Sequence, residues 1–156
     1  MEIESRYNAS VLDIWFWLSY NYSTLATGTV GGSEAAILNL VETFSQLNHS
    51  ITVFNDCDLE GTFYGVTWIH RDKLGKVPTE HFDIVIGSRC LSPFDPTNKH
   101  YVKGTVSILW MHDYDVSGFD DEKEGFSLLT DYLNRGLISY IFTLSDWQTH
   151  YTLEHL

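Results

Sequence analysis

The sequence predicts an α/β protein whose doubly wound, mainly parallel sheet is flanked by helices. Six short apolar runs rich in strand-forming residues recur along the chain, and helical or loop segments separate them. The chain has 156 residues, of which 44% are hydrophobic and 15% aromatic, so one domain with a sizeable core is expected. We therefore predict a polar lead-in at residues 1–10 and a single domain at residues 11–156.

The first elements form a strand–loop–helix–strand unit. Residues 12–18 (LDIWFWL) are apolar enough for a strand buried on both faces, as parallel sheets require. Apolar residues then recur at helical spacing over 36–47, which predicts an amphipathic helix with Ser33 as its N-cap. Asn48 is the residue type that, after glycine, most readily takes the left-handed conformation at a helix end. The β-branched and aromatic residues of 51–54 favour the second strand.

Later segments continue the alternation. Further strands are predicted at 64–70, 83–87, 105–111 and 137–144. An acidic stretch at 116–125 predicts a solvated loop, and an amphipathic helix follows at 126–135 with Gly136 as its stop. Ser145 is expected to cap a last short helix.

A glycine-rich loop precedes the first helix. Loops at the carboxyl ends of strands are where open α/β sheets bind ligands, and backbone N–H groups at a helix start attract anions. The spacing of Gly31 and Gly32 matches neither GxGxxG nor GxxxxGK[ST]. Glu34 in the first helical turn would also repel a phosphate placed beside it. Ligand contact by the two glycines, and a loop that needs glycine only to turn, both stay open.

Polar residues follow two of the predicted strands. Ser88 and Arg89 lie in the loop after the strand at 83–87. Arg89 either contacts a ligand hydroxyl or phosphate or forms a surface salt bridge, and the salt bridge is the interpretation we favour. His112 and Asp113 end the strand at 105–111. They indicate a ligand contact, or a histidine held at the strand end by its aspartate.

Several of these segments together resemble the start of a retaining GT-B glycosyltransferase of family 4. That family typically has a GG-x-E run, a helix and then G-H-x-V-x-V, and this chain has GGSE at 31–34 and NHSITVF at 48–54, with Asn48 in place of glycine. The strand carrying DIVI at 83–86 and the strand ending in histidine and aspartate are similar to later family segments. The resemblance covers roughly residue 13 to the end.

The resemblance implies one half of a GT-B fold, a Rossmann-like domain on the acceptor side of the enzyme. The enzyme would move a sugar from a nucleotide-sugar donor to a hydroxyl acceptor, with no metal and no further cofactor. His112 would be catalytic through contact with the transferred sugar, and Asp113 would orient it. The substrate-binding residues would be Gly31, Gly32, Ser88 and Arg89.

No part of the chain matches the second GT-B domain, which in the family carries the basic residues that hold the nucleotide diphosphate. We therefore expect that domain to be supplied in cis or in trans, and this chain to be inactive alone. The net charge of −12 argues against nucleic acid or an anionic membrane surface as a partner. Cys57 and Cys90 are expected to be thiols in a reducing compartment. Since no secretory signal or transmembrane pattern is visible, we predict a cytoplasmic protein.

Two other functions stay open. One is a non-catalytic α/β module that binds a sugar or a protein. The other, which we favour less, is a metal-dependent hydrolase that uses His112, Asp113 and Asp115, because these are suitable ligand types.

Overall fold

The computed structural model describes residues 6–12, 31–74, 81–113, 116 and 121–156. Seven strands form one sheet: β1 (Asn8–Leu12), β2 (Ser50–Asn55), β3 (Gly61–Phe63), β4 (Val66–His70), β5 (Phe82–Ser88), β6 (Gly104–Trp110) and β7 (Tyr140–Phe142). The described helices are α1 (Gly32–Gln46), α2 (Glu122–Asn134) and α3 (Asp146–His155), with short 3-10 turns at Arg71–Lys73 and Ser92–Phe94.

The strands are ordered β3-β4-β2-β1-β5-β6-β7. Every neighbouring pair is parallel except β3 and β4, which are antiparallel. The predicted α/β protein with a mainly parallel sheet is therefore confirmed. The chain runs outward to one side through β2 and β4 and to the other side through β5, β6 and β7. The strand order thus reverses between β1 and β5, and the six parallel strands end at the same edge of the sheet.

β1 lies earlier in the chain than predicted. The prediction was wrong for residues 8–10, which form the first strand and not a lead-in, while residues 13–18 lie outside the described part of the chain. β1 is central, because it pairs with both β2 and β5. Its residues Ala9, Ser10 and Val11 are buried. Small side chains fit such a position but give a weak apolar signal, so the larger aromatic run behind them attracted the prediction.

The hairpin of β3 and β4 was not predicted. Its turn residues Tyr64 and Gly65 both have positive φ, 52° and 79°. Positive φ at both turn positions matches the right-handed twist of the flanking strands. Tyrosine is an unusual residue at such a position, so the sequence reasoning placed the turn residues within a single strand at 64–70.

The sheet is covered on both faces. α1 contributes Ile37, Leu38 and Val41 to a cluster with strand residues such as Val53 and Trp68. On the other face, α2 contributes Phe126, Leu129 and Tyr132 to a second cluster, which includes Val85 and Leu109 from the strands. The alternation of strand residues between the two clusters is what a sheet buried on both sides requires.

α1 begins before the predicted cap. The N-cap is Gly31, which makes no side-chain capping hydrogen bond. Ser33 lies within the first turn of the helix, so the prediction of Ser33 as N-cap was wrong. Leu38 is buried, whereas Leu47 at the end of the predicted face is exposed. Asn48 has φ 62°, which confirms the predicted left-handed residue at the end of the helix.

α2 begins at Glu122, so the described residues 122–125 are helical and not part of a loop as predicted. The cause is a cap, since the Asp121 carboxylate accepts the N–H of Lys123 at 2.9 Å. Gly136 has φ 69° and ends the helix as predicted. The Ser145 hydroxyl accepts the N–H of Gln148 at 3.2 Å, which confirms the cap of α3. Across the described helices, none is long and apolar enough to cross a membrane.

Candidate functional site

The residues singled out in the sequence meet at the carboxyl edge of the sheet. Gly31 and Gly32 begin α1, Ser88 ends β5 and Arg89 follows it, and His112 and Asp113 follow β6. Ion pairs and electrostatic contacts connect these three segments. We call the following six residues the rim cluster: Gly31, Glu34, Ser88, Arg89, His112 and Asp113.

A buried ion pair forms the centre of the rim cluster. Glu34 and Arg89 are only 2% and 5% exposed, and their Oε1 and Nη2 atoms are 3.4 Å apart. Arg89 Nη1 also lies 3.6 Å from Asp113 Oδ2, which is half exposed. The favoured prediction of a salt bridge at Arg89 is confirmed, but its placement on the surface was wrong. A buried guanidinium needs such partners because an uncompensated interior charge is costly.

The backbone of Arg89 has an unusual conformation. Its φ is 62°, in the left-handed region that arginine rarely adopts. Its N–H donates to the carbonyl of Trp110 at 3.0 Å, which ties the end of β5 to the end of β6. Strain of this kind persists where surrounding contacts hold it, and it often marks functional sites.

Gly31 provides the space for Glu34. A Cβ atom built on Gly31 would overlap the Glu34 carboxylate, whereas one on Gly32 would have nothing within 4 Å. The two glycines therefore differ in role. Gly31 lets the buried carboxylate fold back over the helix start, and Gly32 leaves the exposed helix start open to solvent.

His112 is held neutral. Its Nε2 atom is buried and has no hydrogen-bond partner among the described residues. The ring packs against Trp110 with centroids 4.4 Å apart. Burial lowers the pKa of His112 to about 4, helped by the Arg89 charge and opposed by Asp113 and Glu34. At neutral pH the imidazole is uncharged, so one ring nitrogen donates a hydrogen bond and the other accepts one.

Ser88 has a second buried polar group without a partner. Its Oγ is buried and bonds to none of the described residues. The preceding Gly87 must lack a side chain, because a Cβ there would lie 2.7 Å from the ring of Phe94. An unsatisfied buried hydroxyl or imidazole costs roughly 1–3 kcal/mol. Ser88 and His112 thus each hold a buried polar atom at the carboxyl edge that the described residues leave without a hydrogen bond.

Two supporting residues were not predicted as part of the site. The sequence reasoning used Glu34 as a residue that would repel a phosphate and as part of the GGSE run, and did not predict it as a site residue. Gln148 of α3 is buried; its amide N–H donates to the Asp113 carbonyl, and its Oε1 accepts the N–H of Leu144 at 2.6 Å. Gln148 therefore fixes the loop after β6 against α3. Its position just inside a capped helix carried no signal of this role.

The metal hypothesis receives no geometric support from the described residues. Among them, no three His, Cys, Asp or Glu side chains converge in a way that would hold a metal ion. Asp115, the third ligand of that hypothesis, lies outside the described residues. Cys57 and Cys90 are buried thiols.

Comparison of the chain with protein-family models, with curated proteins and with solved structures gave no match.

Proposed function

We propose that this chain is the N-terminal, acceptor-side domain of a GT-B glycosyltransferase of the retaining, nucleotide-sugar-dependent type. In this proposal the acceptor and the transferred sugar bind at the carboxyl edge of the domain's sheet. A second domain, in cis or in trans, binds the nucleotide diphosphate.

The topology supports a Rossmann-like, doubly wound sheet. With the antiparallel β3 set aside, the parallel strands stand in the order β4-β2-β1-β5-β6-β7. Numbered along the chain, this is the 3-2-1-4-5-6 order of dinucleotide-binding sheets. In such sheets ligands bind outside the carboxyl ends of the strands, where the order reverses. Here the reversal lies between β1 and β5, beside the rim cluster.

His112 is the observation that carries the proposal. It is a neutral imidazole at a strand's carboxyl end, and its buried Nε2 is without a partner among the described residues. A neutral imidazole is suited to a sugar hydroxyl, which donates and accepts hydrogen bonds. Ser88 on the neighbouring strand offers a second unsatisfied group of the same kind.

The charges of the rim cluster support a division of labour between two domains. Arg89 faces two carboxylates, Glu34 and Asp113. A diphosphate placed beside them would meet more negative than positive charge. A retaining transfer needs positive charge or helix N-termini at the leaving diphosphate, so in this proposal the second domain supplies them.

The same charge balance favours a second candidate. A non-catalytic module that binds a neutral sugar would need hydrogen-bonding groups but no cation beyond those paired with carboxylates. The rim cluster fits that description as well. The two candidates differ in one requirement. Only the enzyme depends on a donor-binding domain for its affinity towards a nucleotide-sugar.

The test is a titration of the purified chain with UDP-glucose and GDP-mannose, followed by NMR of the histidine side chains. Alone, the chain is expected to bind either donor more weakly than about 1 mM, the affinity of a partial site. With a GT-B donor domain present, micromolar binding and sugar transfer are expected. His112→Ala should abolish the transfer, whereas the control His81→Ala, directly before β5, should not.

Two outcomes contradict the proposal. Micromolar donor binding by the chain alone would show a complete site in one domain. A donor domain that restores no transfer, together with His112 shifts caused by glucose alone, would identify the chain as the sugar-binding module.

A further inference from the structure

A polar pocket opens at the carboxyl edge of the sheet, apart from the rim cluster. It measures about 560 Å³, which is within the range of small-ligand pockets. Arg71, directly after β4, forms one wall, and the loop between β5 and β6 forms the other with Lys99 and His100. The pocket shares no lining residue with the rim cluster, so its ligand need not be the ligand of the rim.

The pocket concentrates positive charge in an acidic protein. The whole chain has only nine lysines and arginines against 21 acidic residues, and two of the nine line this pocket beside a histidine. The three side chains lie close enough to interact. Burial holds the pKa of His100 below its usual 6.5, and the charges of Lys99 and Arg71 lower it further. Distant acidic residues are screened beyond about 8 Å at physiological ionic strength.

Two carboxylates act on the pocket, Asp56 beside it and Asp72 in its lining. Asp56 accepts from His70 at 2.9 Å and lies 3.6 Å from Arg71. Asp72 lines the pocket itself; its carboxylate is mostly exposed, lies 3.7 Å from His70 and acts on the pKa of His100 against the cations. Lys99 is exposed at the pocket mouth. Among the lining residues, the two cations Arg71 and Lys99 therefore outnumber the one carboxylate, Asp72.

Uncharged hydrogen-bonding groups complete the wall. Ser92, Thr97 and Asn98 line the same pocket. The Asn98 side chain accepts the N–H of His100 at 2.9 Å, which fixes the loop in a tight turn. The Asp95 carboxylate likewise accepts the N–H and hydroxyl of Thr97, at 2.8 and 2.7 Å. These bonds preorganise the turn that carries Lys99 and His100.

We propose that this pocket, lined by Arg71, Lys99 and His100, binds the phosphate group of a small hydroxyl-bearing molecule such as a sugar phosphate. Arginine and lysine are the usual phosphate partners, with arginine as a fork and lysine as a point charge. The imidazole adds a third donor when protonated. Ser92 and Asn98 would then meet the hydroxyl groups. This inference does not rest on the proposed glycosyltransferase function, since a phosphate site would serve a binding module equally.

The experiment is a titration of the intact chain with inorganic phosphate, glucose 6-phosphate and glucose at constant ionic strength, monitored by amide and imidazole NMR. Both phosphate probes are expected to shift the signals of residues 97–100 and Arg71 saturably, and glucose alone should not. Tighter binding of glucose 6-phosphate identifies an organic phosphate ester as the ligand. Equal binding of the two probes identifies free phosphate as sufficient.

Lys99→Gln tests the site directly. It should weaken phosphate binding about two- to fivefold, the range for one exposed charge pair. Lys103→Gln is the matched control, because it removes the same charge from an exposed lysine outside the pocket, and it should leave binding unchanged. The His100 imidazole should also become easier to protonate with phosphate bound, since the anion offsets Lys99 and Arg71 while Asp72 stays in place.

The proposal is overturned by shifts that stay linear in phosphate concentration, by equal weakening from both lysine variants, or by glucose shifting the same signals as glucose 6-phosphate. Each of these outcomes would mean that the pocket's cations do not form a phosphate site.

Discussion

Two carboxylate–cation pairs of the chain have nearly the same chemistry and opposite surroundings. Glu34 and Arg89 are buried at the carboxyl edge between α1 and β5, whereas Glu60 and Lys73 pair at the surface beside β4. Removing one partner of a buried pair costs roughly 3–5 kcal/mol, because the other charge is left without compensation. An exposed pair contributes little, since water solvates both charges in either state. Burial, and not the presence of a salt bridge, therefore decides which pair the fold depends on.

The comparison also shows where function is expected. The surface pair is solvated by water and screened by salt, so it does not present a buried polar atom for a ligand to bind. The buried pair instead holds a strained Arg89 next to a neutral His112 whose Nε2 lacks a partner among the described residues. A charge pair retained in the interior at such cost fits a positioning role better than a stabilising one.

The largest expected effect comes from Glu34→Gln. Because Arg89 would keep its charge in the interior and lose its buried partner, while Asp113 is half exposed, we expect a loss of about 3 kcal/mol or more in the free energy of unfolding. Urea denaturation monitored by tryptophan fluorescence measures this loss.

The double variant Glu34→Gln, Arg89→Met is the control for that loss. It removes both charges and should recover most of the stability, since replacing a buried pair by uncharged groups is often near neutral. If the single variant were as stable as the parent, the pair would not be buried in solution.

A smaller effect is expected from Gly31→Ala. The added methyl would overlap the Glu34 carboxylate and displace it from Arg89, and overpacking of this kind costs about 1–3 kcal/mol. Gly32→Ala is the matched control, because its Cβ meets nothing within 4 Å and alanine is the better helix former. Equal stabilities of the two variants in thermal denaturation would contradict the role assigned to Gly31.

A still smaller effect is expected at the end of α1. Asn48→Ala should cost about 1 kcal/mol, because alanine loses the tolerance of asparagine for φ 62°. Asn48→Gly should be at least as stable as the parent, since glycine adopts positive φ without steric cost. A destabilised glycine variant would mean that the asparagine side chain matters for another reason.

The smallest effect is expected at the surface pair. Glu60→Gln should change the free energy of unfolding far less than Glu34→Gln does. The difference from the parent should shrink further in concentrated salt, since the Lys73 pair is exposed to screening. A salt-independent loss as large as that of Glu34→Gln would remove the contrast between the two pairs.

Much of the fold was predictable from local patterns. Three predictions from short stretches of sequence are confirmed: the helical spacing that buries Ile37 in α1, the left-handed conformation of Asn48 and the cap at Ser145. β1 was missed because its stability comes from partners far away in the chain, and β3 was missed because its hairpin turn places a tyrosine at positive φ. Ala9 and Ser10 are good central-strand residues only once β2 and β5 lie on both sides.

The site was predictable in its position but not in its charge balance. Strand ends identified Ser88, Arg89 and His112, because parallel strands end at one edge. The burial of Glu34 could not be read from the sequence, since it depends on the meeting of α1 with the end of β5. Glutamate in a first helical turn usually points to solvent and interacts with the helix dipole.

The central claim is that the start of α1 and the ends of β5 and β6 form a single electrostatic unit around His112. Because the folded protein lowers the pKa of His112, this residue contributes stability that is present above about pH 6.5 and is lost as the pH falls towards about 4. Burial is the larger cause and the Arg89 charge the next, with Asp113 and Glu34 acting the other way.

The most direct test is an NMR titration of the His112 imidazole in the parent and in Glu34→Gln, Arg89→Met. The parent should titrate at about 4. The double variant should titrate at a higher pH, because it loses the pKa-lowering effect of Arg89, which is larger than the pKa-raising effect of Glu34 that is lost with it. Its pKa should stay below 6.5 because burial remains. A parent pKa near 6.5 that the double variant leaves unchanged would show that the three segments do not meet, and would contradict this account of the site.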